Sequence, residues 1–462
     1  MLGRLVKQYN ALEHNVRLTY LYTALFWSSR NIILGQMLAG YIYVLTGSNE
    51  PVGMVTGING LVRMLVTFPA GYASDRFRRD IVLKFAAVLG LICAAMSLSA
   101  YVSVGVCRSH QSLDILLIMA THIYTPRGDQ NLMTLVQGHI LVLYVAYACW
   151  GGYFAIQDPA TEALFADSIP NGQREGPMTT RYILMSVAGT LGPIASIVFF
   201  YIYGDSWSLS GLQIVLCGGM IVGIPGIAVL FFFNDDLAYE NNRRANNRLS
   251  IIEDGELSDL DVTPRGKERT LLLQNDTDDE PPELWETANT FYCLGPRHIP
   301  FILFVTDFIM YNGAGLSISF FPLFFQNVYG LTPSQVNLLF VIQPALVVLL
   351  TSLTKRFSAR LGDIETVIGT RVLASIVLIS ISYAEPLWLE ITLYLTRLTM
   401  FCYSGSAMAG GFLIERYGYR FCFFVTSLIF LAGLMLELLL LPIIRNERKL
   451  KITSVVKLAS GQ

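Results

Sequence analysis

Charge is scarce in this chain. Of its 462 residues only 14% are Asp, Glu, Lys or Arg, against about 25% in a typical soluble domain. The formal net charge of −2 leaves no excess of one sign to attract a nucleic acid. Cysteine is sparse as well. Cys93, Cys149, Cys217, Cys402 and Cys422 lie in apolar stretches, where Cys packs as a small hydrophobe. Only Cys107 falls in a predicted external loop, so no structural disulfide is expected. There is no HExxH, no GxSxG, no P-loop and no GxGxxG, which excludes the common enzyme signatures; neither enzyme activity nor a cofactor is expected. Cys107, His110 and His122 share the 105–135 stretch without metal-ligand spacing, and no metal is expected there. No cleavable signal peptide is expected either: the N-terminus is polar and basic, and the first apolar run is too long for one.

What the chain has instead is apolar length. Hydrophobic residues make up 53% of it, and the mean hydropathy is +0.51. A helix crosses the hydrocarbon core with roughly 20 apolar residues, whereas a buried helix of a soluble protein shows runs nearer 10–14. Runs of spanning length recur at 18–46, 52–72, 81–104, 136–165, 178–203 and 209–233, then at 299–329, 335–353, 366–384, 386–414 and 421–444. The pattern predicts an all-α, polytopic membrane protein of 11–12 transmembrane helices in two halves, 1–233 and 298–445, with a basic tail at 446–462. Gly53 with Gly57, and Gly219 with Gly223, have the GxxxG spacing that lets helix backbones approach in lipid.

The texture changes at 234–297, which holds 15 of the 34 acidic residues and few apolar runs. It reads as a mostly disordered linker, with a short helix open at its end. It also carries an acidic dileucine pattern (Glu268 to Leu273), possible phosphoacceptors at Ser250 and Thr263, and a sequon at Asn275. Basic residues gather at 4–17, 76–84, 174–181, in the linker, at 355–360 and at 445–457. Such residues mark the cytosolic side; the sequon, on that side, would stay bare.

The halves overlay weakly at an offset of 280 residues, which sets Arg76–Phe77 on Arg356–Phe357 and Arg63 on Gln343. Two related halves around a midplane site are a transporter plan. The loop Gly71-Tyr-Ala-Ser-Asp75-Arg76-Phe77-Arg78-Arg79 resembles the GxxxDRxGRR signature between the second and third spans of the major facilitator superfamily, with Arg78 where that family usually has Gly. The stretches Ala163–Arg174 and Tyr403–Tyr419 resemble a branch of the same superfamily found in plants, algae and protists. The resemblance implies twelve spans with both termini cytosolic. It also implies that Asp75 faces the start of span 11, with Arg76 and Arg79 completing that gate through Glu162 or Asp167. The second half departs from this plan. Residues 386–414 number 29, where two spans need roughly 40, so two spans are either fused or both half-length. An odd span count would carry the basic tail to the other side.

Ionisable groups inside spans are costly and mark function. Arg30 in segment 1 and Asp307 in segment 7 are expected to pair across a central cavity, with Arg63, Asn312 and Gln343 as further members of a substrate or proton pathway and Asn337 as a weaker one. Gly71, Asp75, Arg76, Arg79, Asp158, Glu162, Asp167 and Arg174 are expected at a cytosolic gate, with Gln157 beside them and Pro159 bending segment 4. The reading is a monomeric secondary active transporter in an internal or plasma membrane. It would move a small organic solute, anions among the candidates, by alternating access, with protons as a candidate coupling ion. The alternative is a non-transporting receptor, subunit or defective isoform of the same fold.

Overall fold

A computed structural model of the chain describes residues 12–121, 128–170, 173–239, 298–361, 363–397 and 406–438. Every α-helix and 3₁₀ turn of the described residues belongs to one bundle plan, with no strand among them. The first half comprises α1 (His14–Ile33), α2 (Gln36–Thr46), α3 (Glu50–Arg76), α4 (Arg79–Thr121), α5 (Gly128–Asp167), α6 (Glu175–Tyr203) and α7 (Leu209–Val229). The second comprises α8 (Ile299–Ile318), α9 (Phe321–Tyr329), α10 (Pro333–Leu361), α11 (Asp363–Tyr383), α12 (Leu387–Thr396), α13 (Ala407–Tyr417) and α14 (Tyr419–Leu438). Eight helical stretches among the described residues are long and apolar enough to cross a membrane, α8 with α9 counting as one. The protein is therefore a multi-pass membrane protein.

The first span of each half is broken, and each break has a backbone cause. Between α1 and α2 the chain turns at Gly35, where a Cβ would run into the carbonyl of Asn31. Between α8 and α9 it turns at Ser319 and Phe320. The second piece ends on a left-handed glycine in both cases, Gly47 at φ 71° and Gly330 at φ 65°. Only glycine takes that conformation at no steric cost, and its N–H closes the last turn. These matching breaks express the internal repeat more clearly than the sequence overlay does.

Two expectations change. The stretch 105–135 is not a simple loop, because α4 runs through Thr121 and α5 begins at Gly128. Alternating apolar and polar residues there still satisfy a helix once its backbone bonds are closed internally. His122 lies outside the described residues, as do the linker's sorting, phosphorylation and glycosylation motifs. The first residues of the linker are docked. Asn15 Nδ2 donates to the Asn234 carbonyl at 2.8 Å, and Arg78 reaches Asp236 at 2.7 Å. These two bonds fix the chain as it leaves α7.

The described residues form two short helices, one on either side of residue 400. α12 has 10 residues and α13 has 11, each about 16 Å long at 1.5 Å per residue, or half the roughly 30 Å hydrocarbon core. Both sit at the end of the bundle opposite the basic loops. There the Asn49 N–H donates to Glu415 Oε2 at 2.8 Å, Tyr419 Oη donates to Asn49 Oδ1 at 2.7 Å, and Tyr329 Oη donates to the Glu385 carbonyl at 3.0 Å. α12 thus descends to mid-depth, α13 climbs back, and α14 crosses. The end of α14 returns to the basic face, where His14 also lies, so the shortening leaves the parity of the crossings unchanged.

The halves meet along two seams. On one, α6 packs on α10. On the other, α3 meets α13 backbone to backbone. A Cβ on Gly53 would stand 2.5 Å from the Ala407 carbonyl oxygen, and one on Gly411 would stand 3.1 Å from the Gly53 Cα. Small residues permit this approach. Gly411→Val is expected to push α3 and α13 apart at a cost of about 1–3 kcal/mol, as overpacking does. Gly71→Ala, at a helical glycine with nothing within 4 Å, should be tolerated and raise stability by up to about 1 kcal/mol. Thermal unfolding of the purified variants checks both.

Candidate functional site

Between the halves lies a cavity of 640 Å³, lined from α1 by Tyr22, Trp27, Arg30 and Asn31, from α3 by Arg63, from α5 by Gln157, Asp158 and Glu162, from α6 by residues including Arg181 and Tyr182, and from α10 by Phe340, Gln343, Pro344 and Val347. Its floor is the contact of α2 with α9 and of α3 with α13. Hydrogen bonds join the halves on that floor. Gln36 donates to Asn337 Oδ1 at 2.7 Å, Trp207 Nε1 to the Leu331 carbonyl at 2.8 Å, and the Ser334 N–H to Asp205 at 3.0 Å. The cavity therefore opens toward the basic face.

Three arginines and two carboxylates line it. Arg63 pairs with Asp158 at 2.5 Å, and Arg181 pairs with Glu162 at 2.5 Å. Arg30 has no carboxylate partner among the described residues. Its guanidinium stands 4.2 Å from the Trp27 ring and 4.8 Å from the Phe154 ring, contacts worth about 0.5–2 kcal/mol that leave its hydrogen-bond donors free. Gln343 Oε1, across the cavity on α10, is buried and takes no hydrogen bond. The site thus offers one uncompensated cation, an unused acceptor and aromatic walls.

The cavity brings Arg30, Arg63 and Gln343 together, and Asp158, Gln157 and Glu162, read from the sequence as gate residues, line it with them. Their turn of α5 faces α3 and α6 at cavity depth, below the loop. Asp307 does not face Arg30. It bonds to Arg371 of α11 at 2.6 Å, and the same guanidinium reaches the fully buried Glu437 of α14 at 2.9 Å. The expected Arg30–Asp307 pair is replaced because α8 turns Asp307 toward its neighbours within the second half, where a nearer cation waits. Asn312 also lies outside the cavity. It donates to the Phe308 carbonyl at 2.8 Å, and its own carbonyl accepts from Ser406 Oγ at 2.6 Å. Asn337 is spent on the floor.

At the basic face, Arg79 pairs with Asp167, one of the two acids the resemblance offered, and Arg76 bonds to the Tyr72 hydroxyl at 2.5 Å. Arg78 spans Asp236 and Asp80, at 2.7 and 3.1 Å, and these bonds raise its already high pKa. Gly71 lies in open space. Asp75 is exposed, and among the described residues α13 starts at Ala407, in the other half of the membrane. Arg174 sits at the N-cap of α6 and pairs with no carboxylate among the described residues. The residues missed in the sequence are Arg181, Arg371 and Glu437. Arg371 and Glu437 carried a usable signal, as isolated charges deep in the apolar runs 366–384 and 421–444.

The family model described as Major Facilitator Superfamily matches residues 18–409. No curated protein matches the chain by sequence. Among solved structures, the chain is similar to a bacterial homologue of the iron transporter ferroportin in an inward-facing state. The TM-score is 0.57 at 11% identity, over 92% of this chain and 98% of that one. It is similar to a D-xylose-proton symporter, with a TM-score of 0.55 at 13% identity, over 91% and 96%. It is also similar to the xylose transporter XylE from E. coli in a partially occluded inward open conformation, with a TM-score of 0.54 at 13% identity, over 91% and 90%. At these identities the likeness is one of fold.

Double-mutant cycles test the pairing. Arg371→Met strands the buried Glu437 charge and should cost about 3–5 kcal/mol. It should be non-additive with Asp307→Asn. Arg30→Ala with Asp307→Asn should be additive within about 0.5 kcal/mol. Unfolding of the purified single and double variants measures both couplings.

Proposed function

The chain belongs to the major facilitator superfamily, and from the cavity between its halves we propose that this secondary transporter carries a small organic anion across the membrane by alternating access. One observation carries the anion: among the described residues Arg30 has no carboxylate partner, and it is set in aromatic walls in an open cavity. Burying such a charge is costly unless a partner arrives, and an anionic solute is that partner. Hydrogen bonds to charged groups contribute about 1.5–3 kcal/mol, so Arg30→Ala should weaken apparent affinity about 10- to 150-fold while Arg30→Lys retains part of it. Uptake into proteoliposomes of a panel of carboxylates, organic phosphates and neutral sugars tests this. Uptake of sugars alone, indifferent to Arg30, would overturn it.

In the same reading the basic face is cytosolic, so that the cavity faces inward, and the Asp307–Arg371–Glu437 cluster is the place for a coupling proton. One guanidinium serves two carboxylates there, and neither Glu437 oxygen has a hydrogen bond of good geometry, which leaves room for a proton on one of the two acids. Glu437→Gln is expected to abolish accumulation driven by a pH gradient while exchange of internal for external solute continues. Loss of both, or of neither, counts against a coupling role.

A second reading, a binding protein of this fold that does not cycle, is favoured by one observation. Among the described residues α13 begins at Ala407, short of the basic face, and offers Asp75 no helix start there. In a cycling carrier Asp75→Asn should shift the labelling of single cysteines at the inner ends of α3 and α10; an unchanged pattern, with solute bound but not moved, supports the second reading.

A further inference from the structure

α13 is wedged between two helices. Gly411 lies on α3 at Gly53, Gly410 lies against the Leu316 carbonyl of α8, and Ser406 just before the helix bonds to Asn312. Among the described residues α13 begins at Ala407, and the faces of α3 and α8 that it joins continue toward the basic side. On α3, Met64 and Phe68 follow Gly53 by 11 and 15 residues, close to the same face at 3.6 residues per turn, and they are 51% and 82% exposed. On α8, Phe308, Phe304 and Phe301 descend from Asn312 along the matching side and are 50%, 64% and 66% exposed. Among the described residues, the space between these two apolar faces on the basic side of α13 is what we take as a cleft. From Asn312 to Phe301 it is about 16 Å deep at 1.5 Å per residue, close to the depth of one leaflet of the hydrocarbon core, about 15 Å.

The cleft is asymmetric and connected. The opposite seam is filled by α6 against α10. On α3, Arg63 lines the cavity and its neighbour Met64 lines the cleft, so the two spaces share that helix as an edge. A full-length span 11 would have separated the cavity from the bilayer on this side.

We propose that the cavity is reached sideways from the basic-side leaflet through this cleft, and that the solute is an amphiphilic anion, its head at Arg30 and its hydrocarbon chain between Met64 and Phe68 of α3 and the phenylalanines of α8. The proposal rests on the anion reading of the cavity and adds the chain to it. Both features of the ligand have their counterpart: the uncompensated guanidinium recognises the head, and a leaflet-deep apolar slot accommodates the tail.

The test uses the full chain in nanodiscs with lysophosphatidate carrying a diazirine in its acyl chain, and the same chain on lysophosphatidylcholine as the zwitterionic comparison. Illumination is expected to place adducts on residues 61–72 and 301–311, at least 10-fold more from the anion. Unlabelled lysophosphatidate should compete in the unaltered chain, and Arg30→Ala should lower labelling to the zwitterionic level. Labelling spread evenly over lipid-facing helices such as α6, whatever the headgroup, overturns the proposal. So does an unlabelled cleft that becomes labelled once residues 439–462 are removed, which assigns it to the chain's own tail. Arg30-dependent uptake of a short-chain carboxylate with unselective labelling overturns the amphiphile and leaves the anion cavity standing. Labelling and uptake both indifferent to Arg30 overturn both.

Discussion

The contact of Gly53 with Gly411 sets the state of the whole molecule. Two helices from opposite halves touch there through backbone alone, and the bonds around Asn49, Glu415 and Tyr419 lock the same end. With one end clamped, the only place for the halves to separate is the other. The cavity, its opening and the exposure of Asp75 all follow. The broken first spans serve the same end: α2 and α9 tilt into contact only because Gly35 and the Ser319–Phe320 turn let each span change direction.

A second constraint arranges the polar residues. In hydrocarbon a lone charge is expensive, so each finds a partner or a water-filled wall. Arg63, Arg181 and Arg371 take carboxylates within their own half. The ion pairs described here stay inside one half or the other, and the bonds that cross between halves are made by uncharged groups, backbone N–H groups and short carboxylate contacts on the far side. Rocking one half on the other would therefore break few costly electrostatic contacts. Arg30 stands apart, held by rings instead of by a charge.

Much of this was legible in the sequence. Apolar run length marked the spans, and the shortage at 386–414 marked the irregular place while leaving fused and half-length spans open, because both depend on counting residues against a fixed membrane thickness. For Arg79 the resemblance left Glu162 and Asp167 open as partners, and in the structure it meets Asp167. Partner choice was not legible. Depth along a span says how far Asp307 lies from the surface, but a rotation of one residue about α8 turns it by about 100°, from the cavity to Arg371. The same ambiguity moved Asp158 from the gate to Arg63. Run length also hid the breaks at Gly35 and Ser319, since a kinked span is as apolar as a straight one.

The half-length pair has a consequence for how the protein is made. Neither α12 nor α13, at 10 and 11 residues, is long enough to cross the bilayer on its own. The hairpin is stable only against protein: Arg397 over the Phe321 ring at 4.3 Å, Gly410 on α8, Gly411 on α3. One of those supports belongs to the first half. The hairpin therefore cannot settle until α3 is already in place, and the order of synthesis, first half before second, becomes a requirement of assembly. Separately produced halves of this protein would meet with the last piece of the second still looking for its seat.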